Sequence, residues 1–289
     1  MKFFEKKFTD EEFKVYRGKN FRESWYTTIV DSNEDGYYTS EGKNKVLFKF
    51  RKNQIKNELS ELAINTFLNY SKKKHSNRGS AGGLGENGKA RHFTQTGQNE
   101  GNYIASNISG YFDRPLREHR GILGTIKACR TTAFTLNNMD LWVQGLPFIQ
   151  FCSKLFKKYC PKEYQIQKRE YNLINNSLKI PKSVFTTLTS NYNWKTACHQ
   201  DSGDFHNGLG NLTVLGKDFE GGYLGFPQFK VLIKIKPGDI LFMNSREYHC
   251  NTSIKTRKDG YRLSFVMYIR EDMKFCKKAK KIENVNYFI

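Results

Sequence analysis

The chain has 289 residues, of which 38% are hydrophobic and 15% are aromatic. This composition supports one large or two small domains with a substantial core, and it excludes an intrinsically disordered chain. Lysine and arginine number 48 against 28 aspartates and glutamates, so the formal net charge is +20. Such a charge favours a polyanionic partner, although a lysine-rich host composition produces the same bias.

No stretch of the sequence approaches the roughly 18 apolar residues of a membrane span. The first residues lack the apolar segment of a secretory signal. The six cysteines form no CxxC pair, and their spacing does not indicate a zinc ribbon. The sequence therefore predicts an intracellular, soluble and reduced protein with no membrane partner. Nucleus and cytoplasm stay open as locations, and so does the oligomeric state.

The first half of the chain alternates between strand-like and helical patterns. Residues 1–52 mix aromatic and charged side chains and end in the strand-like run Val46–Phe50. From Asn53 the apolar positions adopt helical spacing, which predicts a helix capped by that asparagine. A glycine-dense loop follows over residues 76–102. A loop of this length is usually functional or flexible.

Two further helices are predicted in the middle of the chain. An apolar stripe indicates a helix over about residues 140–159, with Pro147 starting or bending it. Pro161 suits the first position of a second helix over roughly residues 162–176. We see no repeat and no clear linker, which favours a single domain.

From residue 183 onward the pattern becomes strand-like, with turn residues between short apolar runs. Helices first and strands later is an α+β order, and many short strands favour an antiparallel sandwich or barrel. The N-terminal portion is expected to pack against this sheet as a buttress. The candidate strands are Phe185–Trp194, Leu212–Leu215, Tyr223–Phe226, Val231–Ile235, Ile240–Asn244 and Leu263–Ile269.

Three residues form the most informative motif of the chain. His199 and Asp201 are two positions apart, so they project to the same face of an extended segment. Two imidazoles and one carboxylate can hold Fe(II) on one face and leave the opposite face open. His249 supplies the second imidazole if its strand lies beside the first, as in a double-stranded β-helix, or jelly roll. His-x-Asp alone is a weak signal, and the distal histidine strengthens it.

Arg262 and Ser264 follow in the last predicted strand and share one face of it. A guanidinium can bind the distal carboxylate of 2-oxoglutarate through two hydrogen bonds, and a hydroxyl can add a third. The alternatives are an ion-paired or surface arginine and a serine without a role.

Several polar residues near the motif have two interpretations each. Asp204 leaves the metal strand on a glycine turn, where it can accept a hydrogen bond from a substrate amine or simply form the turn. His206 is either a solvated loop histidine or a substrate contact. Cys198 and Cys250 flank the predicted ligands and are expected to be small buried residues.

The segment from Thr187 to Arg270 resembles the oxygenase domain of the TET/JBP group of 2-oxoglutarate/Fe(II) dioxygenases, particularly its short microbial and viral forms. The order and spacing of the matching runs are more specific than any single motif. Two upstream pieces, Ser76–Gly79 and Gly110–Arg114, are also similar to this family. The matching runs are Leu188–Asn193, His199–Asp204, Gly208–Leu212, Gly221–Leu224, Pro237–Leu241, His249 with Asn251–Thr252, and Arg262–Ser264.

The resemblance implies an α+β fold with a double-stranded β-helix (jelly-roll) core buttressed by N-terminal helices. Together with the absence of a repeat or a clear linker, it leads us to expect a single dioxygenase domain over residues 1–289. Within it, residues 1–180 would be mainly helical and loop support with nucleic-acid contacts. Residues 181–272 would form the core with the iron site, and residues 273–289 a basic tail.

The family oxidises the C5-methyl group of 5-methylcytosine or thymine in nucleic acid. The resemblance therefore implies oxidation to 5-hydroxymethyl and further to formyl and carboxyl products, with Fe(II), 2-oxoglutarate and O2 as cofactors and ascorbate as a candidate stimulant. There are two alternatives to DNA oxidation. The same iron chemistry could act on RNA or on a protein side chain, or the protein could bind nucleic acid without catalysis. The implied catalytic iron ligands are His199, Asp201 and His249, and the implied 2-oxoglutarate contacts are Arg262 and Ser264.

The resemblance also implies contacts to the substrate. Asp204 matches a position that hydrogen-bonds the cytosine amino group in some relatives. Arg270 falls near a position where some relatives place a base-contacting histidine. The arginine in its place would alter that contact, and with it the preference for one base over another. Tyr111 or Phe112 could stack on a base, or belong to the core.

A methyl group inside a duplex cannot reach iron within a barrel, so the target base must be flipped out or single-stranded. Flipping requires contacts to the DNA phosphates, for which basic side chains are suited. Each candidate has a solvated side chain as its alternative. The candidates are Lys72, Lys73, Lys74, Arg78, Arg91, Arg114, Arg117 and Arg120.

Overall fold

The computed structural model describes residues 1–75, 78–85, 88–89, 104–113, 129–276 and 287–288. Within these residues, groups of strands and helices follow one another up to residue 173, and the rest of the chain consists mainly of strands. The helices are α1 (Asp10–Phe13), α2 (Asn57–Ser71), α3 (Ala133–Asn137), α4 (Met139–Tyr159) and α5 (Pro161–Leu173). The strands are β1 (Lys2–Phe3), β2 (Thr28–Val30), β3 (Glu34–Ser40), β4 (Lys43–Arg51), β5 (Lys74–His75), β6 (Ile104–Phe112), β7 (Cys129–Thr131), β8 (Thr187–Tyr192), β9 (Gly210–Gly221), β10 (Leu224–Phe226), β11 (Val231–Ile233), β12 (Ile240–Met243), β13 (Cys250–Asn251), β14 (Ile254–Tyr268) and β15 (Tyr287–Phe288).

Two sheets form the body of the protein. The major sheet runs in the order β1-β3-β4-β12-β9-β14-β8-β6-β7-β15, and β5 pairs with β6. The minor sheet runs in the order β13-β10-β11-β2. The chain thus has the predicted α+β architecture with a jelly-roll core.

The major sheet is covered on both faces. Successive side chains of a strand point to opposite faces. Accordingly, Leu241 of β12 packs with Phe226 of β10 in the apolar layer between the two sheets. Its neighbour Phe242 joins Phe148 and Phe156 of α4 in the layer beneath the helices, with the rings of Phe156 and Phe242 centred 5.6 Å apart. The helices therefore support the sheet from the side opposite the minor sheet.

Residues 1–180, predicted to be mainly helix and loop support, contribute more strands than expected. The chain places β2 in the minor sheet, and it places β3, β4 and β6 in the major sheet. In particular, β4 pairs antiparallel with β12, with Phe50 opposite Leu241. The core predicted for residues 181–272 is therefore completed by strands from the N-terminal portion. This pairing joins residues far apart in sequence, which local periodicity does not report.

The predicted helix start at Asn53 is wrong. Helix α2 begins at Asn57, and Lys56 precedes it without a side-chain capping bond. Asn53 has a positive φ of 55°, and its backbone N–H donates to Asp239 Oδ1 at 2.9 Å. The asparagine therefore belongs to a turn that docks on the turn before β12. The predictions for α4 and for α5, which begins at Pro161, are confirmed.

The cysteines differ in part from the reduced state that the sequence predicts. Cys129 of β7 and Cys276 form a disulfide, with their Cα atoms 5.8 Å apart. Cys152, Cys160, Cys198 and Cys250 are buried free thiols. Folding brings together two cysteines that the sequence separates widely, so their spacing does not indicate the pair. No helix in the described part of the chain is long and apolar enough to cross a membrane.

Candidate metal and cosubstrate site

His199 and His249 lie directly opposite each other in a short antiparallel bridge. The backbone N–H of each donates to the carbonyl of the other, at 3.0 and 2.9 Å. Residues paired in this way direct their side chains to the same face of the sheet. The adjacent Cys198 and Cys250 are fully buried on the other side, where the hydroxyl of Tyr26 lies 3.3 Å from the Cys250 sulfur. The alternation therefore directs the two imidazoles to one face and buries the two thiols on the other.

The carboxylate of Asp201 completes a cluster of three metal-ligand side chains. Its Oδ1 lies 3.6 Å from His199 Nε2, and its Oδ2 lies 3.5 Å from His249 Nε2. One ligand atom from each residue falls within 4.8 Å of the others. The structure thus brings together the three residues that the sequence analysis predicted as metal ligands.

Hydrogen bonds on the far side of each ring orient the imidazoles. His199 Nδ1 donates to the carbonyl of Ala197 at 2.7 Å, and His249 Nδ1 donates to the carbonyl of Glu247 at 2.9 Å. When Nδ1 carries the proton, Nε2 presents its lone pair to a metal. The two-imidazole, one-carboxylate donor set suits Fe(II).

The surroundings keep His199 and Asp201, but not His249, in the ionisation states that a metal requires. Burial, together with the nearby His249, lowers the pKa of His199 to about 4. Burial opposes ionisation of Asp201, but the hydrogen bond and charge of His249 and the charge of His199 lower its pKa to about 2. The pKa of His249 is raised despite its burial, because Asp201 accepts a hydrogen bond from it and attracts its charge. At neutral pH, Asp201 is thus an anion and His199 is neutral.

Arg262 of β14 is a buried cation whose donors are not all used. Its side chain is 1% exposed, and Nε and Nη2 have no hydrogen-bond partner among the described residues. Burial lowers the pKa of the guanidinium to about 10. Gly222 packs against it with a positive φ of 66°, and a Cβ there would lie 2.5 Å from Arg262 Nε. Ser264, two residues along the strand, is also buried. A buried guanidinium of this kind fits a carboxylate ligand such as 2-oxoglutarate.

Arg270 lies between two carboxylates. Its Nε and Nη2 donate to the oxygens of Asp113 at 3.0 and 3.3 Å, and Nη1 lies 3.6 Å from Asp204 Oδ1. Its guanidinium lies over the ring of Phe112 at 4.8 Å. Asp204 accepts a hydrogen bond from the hydroxyl of Ser245 at 3.0 Å, and burial next to Asp201 raises the pKa of its carboxyl. The base contacts assigned to Asp204 and Arg270 stay predictions.

Arg78 points inward and not towards solvent. Its guanidinium donates to the hydroxyl of Ser106 at 2.8 Å and lies 5.9 Å from the ring centre of Trp194. Burial lowers its pKa, and the nearby Tyr268 and Asp201 partly offset this effect. The guanidinium therefore packs against Ser106 and Trp194, and the phosphate contact predicted for Arg78 stays a prediction.

The remaining predicted contacts lie around the site or outside the described residues. Tyr111 is half-buried against the apolar cluster that contains Ile269, which corresponds to the core alternative. His206 is exposed and pairs with Glu271 at 2.9 Å. Lys72, Lys73 and Lys74 are exposed. Arg91, Arg114, Arg117 and Arg120 lie outside the described residues.

Sequence reasoning missed several residues that shape this site. Asp113 pairs with Arg270, Gly222 makes room for Arg262, and Ser245 and Arg246 contact the loop that follows Asp201. The Gly221-Gly222 pair before a strand was a signal for a close backbone approach. Asp113, Ser245 and Arg246 form contacts between distant segments, and no local sequence pattern indicates such contacts.

Comparison with known proteins identifies the family. The model of the Tet_JBP family, described as the oxygenase domain of the 2OGFeDO superfamily, matches residues 108–271. The chain belongs to this family. The match includes the three ligand residues, Arg262 and Arg270. Members of the superfamily use Fe(II), 2-oxoglutarate and O2, and the donor set and the buried guanidinium described above fit these cofactors.

Individual relatives match part of the chain. Thymine dioxygenase JBP1-A of Trypanosoma cruzi (strain CL Brener) is 37% identical over 168 residues, which cover 57% of this chain and 19% of the relative. Thymine dioxygenase JBP1 of Crithidia fasciculata is 33% identical over 168 residues, covering 57% and 20%. The chain therefore spans about a fifth of the length of these relatives.

A solved structure of NgTET1 in complex with 5mC DNA has a similar fold. It superposes with a TM-score of 0.55 at 17% sequence identity, covering 86% of this chain and 83% of that chain. At this identity the likeness concerns the fold, and it agrees with the jelly-roll core.

Proposed function

We propose that this protein is a 2-oxoglutarate- and Fe(II)-dependent dioxygenase that oxidises the C5-methyl group of a pyrimidine in DNA. The first product is the 5-hydroxymethyl base, and further rounds give formyl and carboxyl products. The observation that carries the proposal is the cluster of His199, Asp201 and His249, whose ligand atoms lie within 4.8 Å of one another inside the segment matched by the Tet_JBP family.

The protein's own residues would hold and orient the reactants. His199, Asp201 and His249 would bind Fe(II), and the hydrogen bonds at both Nδ1 atoms keep the Nε2 atoms directed at it. Arg262, with Ser264 beside it, would bind the distal carboxylate of 2-oxoglutarate. Iron and 2-oxoglutarate together supply the activation of O2 that oxidation of a methyl group requires.

The substrate base would leave the DNA double helix before it enters the site. His199 and His249 are 8% and 4% exposed, so a methyl group held in a base stack cannot reach them. A flipped or single-stranded nucleotide meets this requirement. Asp204 and Arg270 are the proposed contacts to the base edge. The exposed Lys72–Lys74 segment and the net charge of +20 suit the phosphate backbone of DNA.

Thymine is the first base to test, because the relatives that are 33–37% identical are named thymine dioxygenases. 5-Methylcytosine is the second, because NgTET1 was solved with 5mC DNA. Both bases carry the methyl group at C5, so one pocket can present either methyl to the metal.

Nucleoside mass spectrometry tests the proposal. The protein is incubated with Fe(II), 2-oxoglutarate and single- or double-stranded DNA that contains thymine, cytosine and 5-methylcytosine. We expect a new 5-hydroxymethyl, formyl or carboxyl pyrimidine that is absent with the His199→Ala/Asp201→Ala variant. An RNA of the same sequence serves as the matched substrate.

Three other outcomes would contradict the DNA proposal. Modified nucleosides in RNA alone would assign the same chemistry to RNA. Succinate released only in the presence of a peptide substrate would assign it to a protein side chain. Intact DNA binding, with no succinate formed on any substrate, would indicate a nucleic-acid-binding module.

A further inference from the structure

Two short segments hold each other beside the metal ligands. One is the segment Gln200–Asp204, which follows the first histidine and contains the loop Asp201–Asp204. The other is the segment Asn244–His249, which joins β12 to β13 and ends in the second histidine. Besides the two bonds between the histidines, five hydrogen bonds join these regions. They run from Asp201 N to Ser245 O (2.9 Å), from Gln200 Nε2 to Arg246 O (2.8 Å), from Arg246 Nη1 to Ser202 O (2.6 Å) and to Asp204 O (3.0 Å), and from Ser245 Oγ to Asp204 Oδ2 (3.0 Å).

Arg246 makes the two bonds that span the loop. Its Nη1 carries two hydrogens, which is enough for the carbonyls of both Ser202 and Asp204. Between these carbonyls lies Gly203, which has no side chain to hold the turn and packs against the guanidinium of Arg270. The turn is closed by its own backbone bond, from the N–H of Asp204 to the carbonyl of Asp201 at 3.0 Å, and the carbonyl of Gly203 accepts from the N–H of Glu271 at 3.0 Å. The two bonds from Arg246 add the side-chain link between this turn and the segment that ends in His249.

The segment that carries Arg246 is itself firmly attached to the body of the protein. The N–H of Asn244 donates to the carbonyl of Leu47 in β4 at 2.9 Å. The carboxylate of Glu247 accepts from Tyr38 at 2.7 Å and pairs with Lys6 at 2.9 Å. The Arg246 guanidinium thus reaches the loop from a segment that is bonded to β3, β4 and Lys6.

We infer that Arg246 is a positioning residue of the metal centre. By holding both ends of the Ser202–Asp204 turn, it keeps the Asp201 carboxylate between the two imidazoles, 3.6 and 3.5 Å from their Nε2 atoms. The inference rests on the iron site of the proposed function and does not depend on the substrate. Neither the sequence patterns nor the predicted contacts assign a role to this arginine.

Metal affinity of the purified full chain tests this role without any substrate. Co(II) is titrated into the metal-free protein, and its absorption spectrum reports both binding and ligand geometry. Thermal unfolding of the metal-free protein is measured in parallel. Arg246→Ala removes both bonds, and Arg246→Lys keeps the charge with a single nitrogen. Arg257→Ala is the matched control, because Arg257 is 79% exposed and pairs only weakly with Glu220 at 3.4 Å.

We expect Arg246→Ala to raise the Kd for Co(II) by about 10- to 100-fold, the usual effect of losing a group that orients a ligand. Arg246→Lys should raise it less, Arg257→Ala should leave it unchanged, and the Tm of the metal-free variants should stay within a few degrees of wild type. A Kd in Arg246→Ala equal to that in Arg257→Ala would overturn the inference. So would a rise in Kd that merely accompanies a large drop in Tm.

If Arg246→Ala does not fold, Arg246→Lys decides: a raised Kd at unchanged Tm supports the inference, and an unchanged Kd overturns it. Wild-type protein that binds neither Co(II) nor Fe(II) would instead contradict the proposed function itself. The failure of the two proposals is therefore distinguishable.

Discussion

His199 and His249 exchange both of their backbone hydrogen bonds, at 3.0 and 2.9 Å, although they lie far apart in the sequence. Because directly opposed residues share a face, this one pairing places the two rings with their centroids 4.3 Å apart. The position of Asp201, two residues after the first histidine, then brings a carboxylate between them. The geometry of the candidate iron site is thus a consequence of strand register.

Metal affinity should depend on the protonation of one histidine. A proton on His249 Nε2 competes with the metal, and the pKa of this residue is raised, so affinity should fall as the pH drops through that pKa. Since burial holds the pKa of His199 at about 4, His199 stays neutral over the same range. Titrations with Co(II) between about pH 5 and 8 should show log Kd changing by one per pH unit at the acid end. A slope of two would contradict this assignment, because both imidazoles would then take up protons together.

Replacing the buried cation of Arg262 should separate stability from cosubstrate binding. Arg262→Met removes a buried guanidinium with two unpartnered nitrogens, so the free energy of unfolding without 2-oxoglutarate should rise by about 1–3 kcal/mol. The loss of charged hydrogen bonds should weaken 2-oxoglutarate binding by roughly 10- to 100-fold. Urea denaturation and calorimetric titration measure the two effects. The surface control Arg257→Met should change neither, and a destabilised Arg262→Met protein would show that the guanidinium already has a partner.

Gly222 should control the position of Arg262, and its substitution should leave the metal ligands in place. In Gly222→Ala the new methyl would lie 2.5 Å from Arg262 Nε, so the guanidinium must move and the KM for 2-oxoglutarate should rise about tenfold. Gly42 is a matched control, because it has a similar positive φ of 69° and a Cβ there would meet no described atom within 4 Å. Both alanine variants should lose about 1–2 kcal/mol of stability from backbone strain. An equal KM in the two variants would contradict a specific contact with Arg262.

The pair between Asp113 and Arg270 should be worth more than a surface ion pair. Both side chains are almost buried, at 4% and 10% exposure, so Asp113→Ala leaves a charge without one of its two partners. We expect a loss of about 3 kcal/mol, at the low end for a broken buried pair because Asp204 remains 3.6 Å away. In an Arg270→Met background the same change should have little effect. Additive losses in a double-mutant cycle measured by urea denaturation would show that the two residues do not interact.

The sequence by itself determined the parts of this protein that depend on near neighbours. The spacing of His199 and Asp201 and the periodicities of α4 and β12 are local, so they could be read from short windows of the chain. The resemblance of residues 187–270 added the family, which the matched model over residues 108–271 confirms. The fold class followed from the order of helices and strands.

Only the tertiary structure decided which distant groups meet. Asn53 was predicted to cap a helix, yet it docks on Asp239, because a turn nearly two hundred residues later offers its carboxylate. The sequence did not show that Arg78 donates to Ser106, or that Arg270 pairs with both Asp113 and Asp204. A sequence reports the charge of a side chain but not its burial or its partners. Those depend on strand pairing across the whole chain, which also brought Arg246 to the loop that carries Asp201.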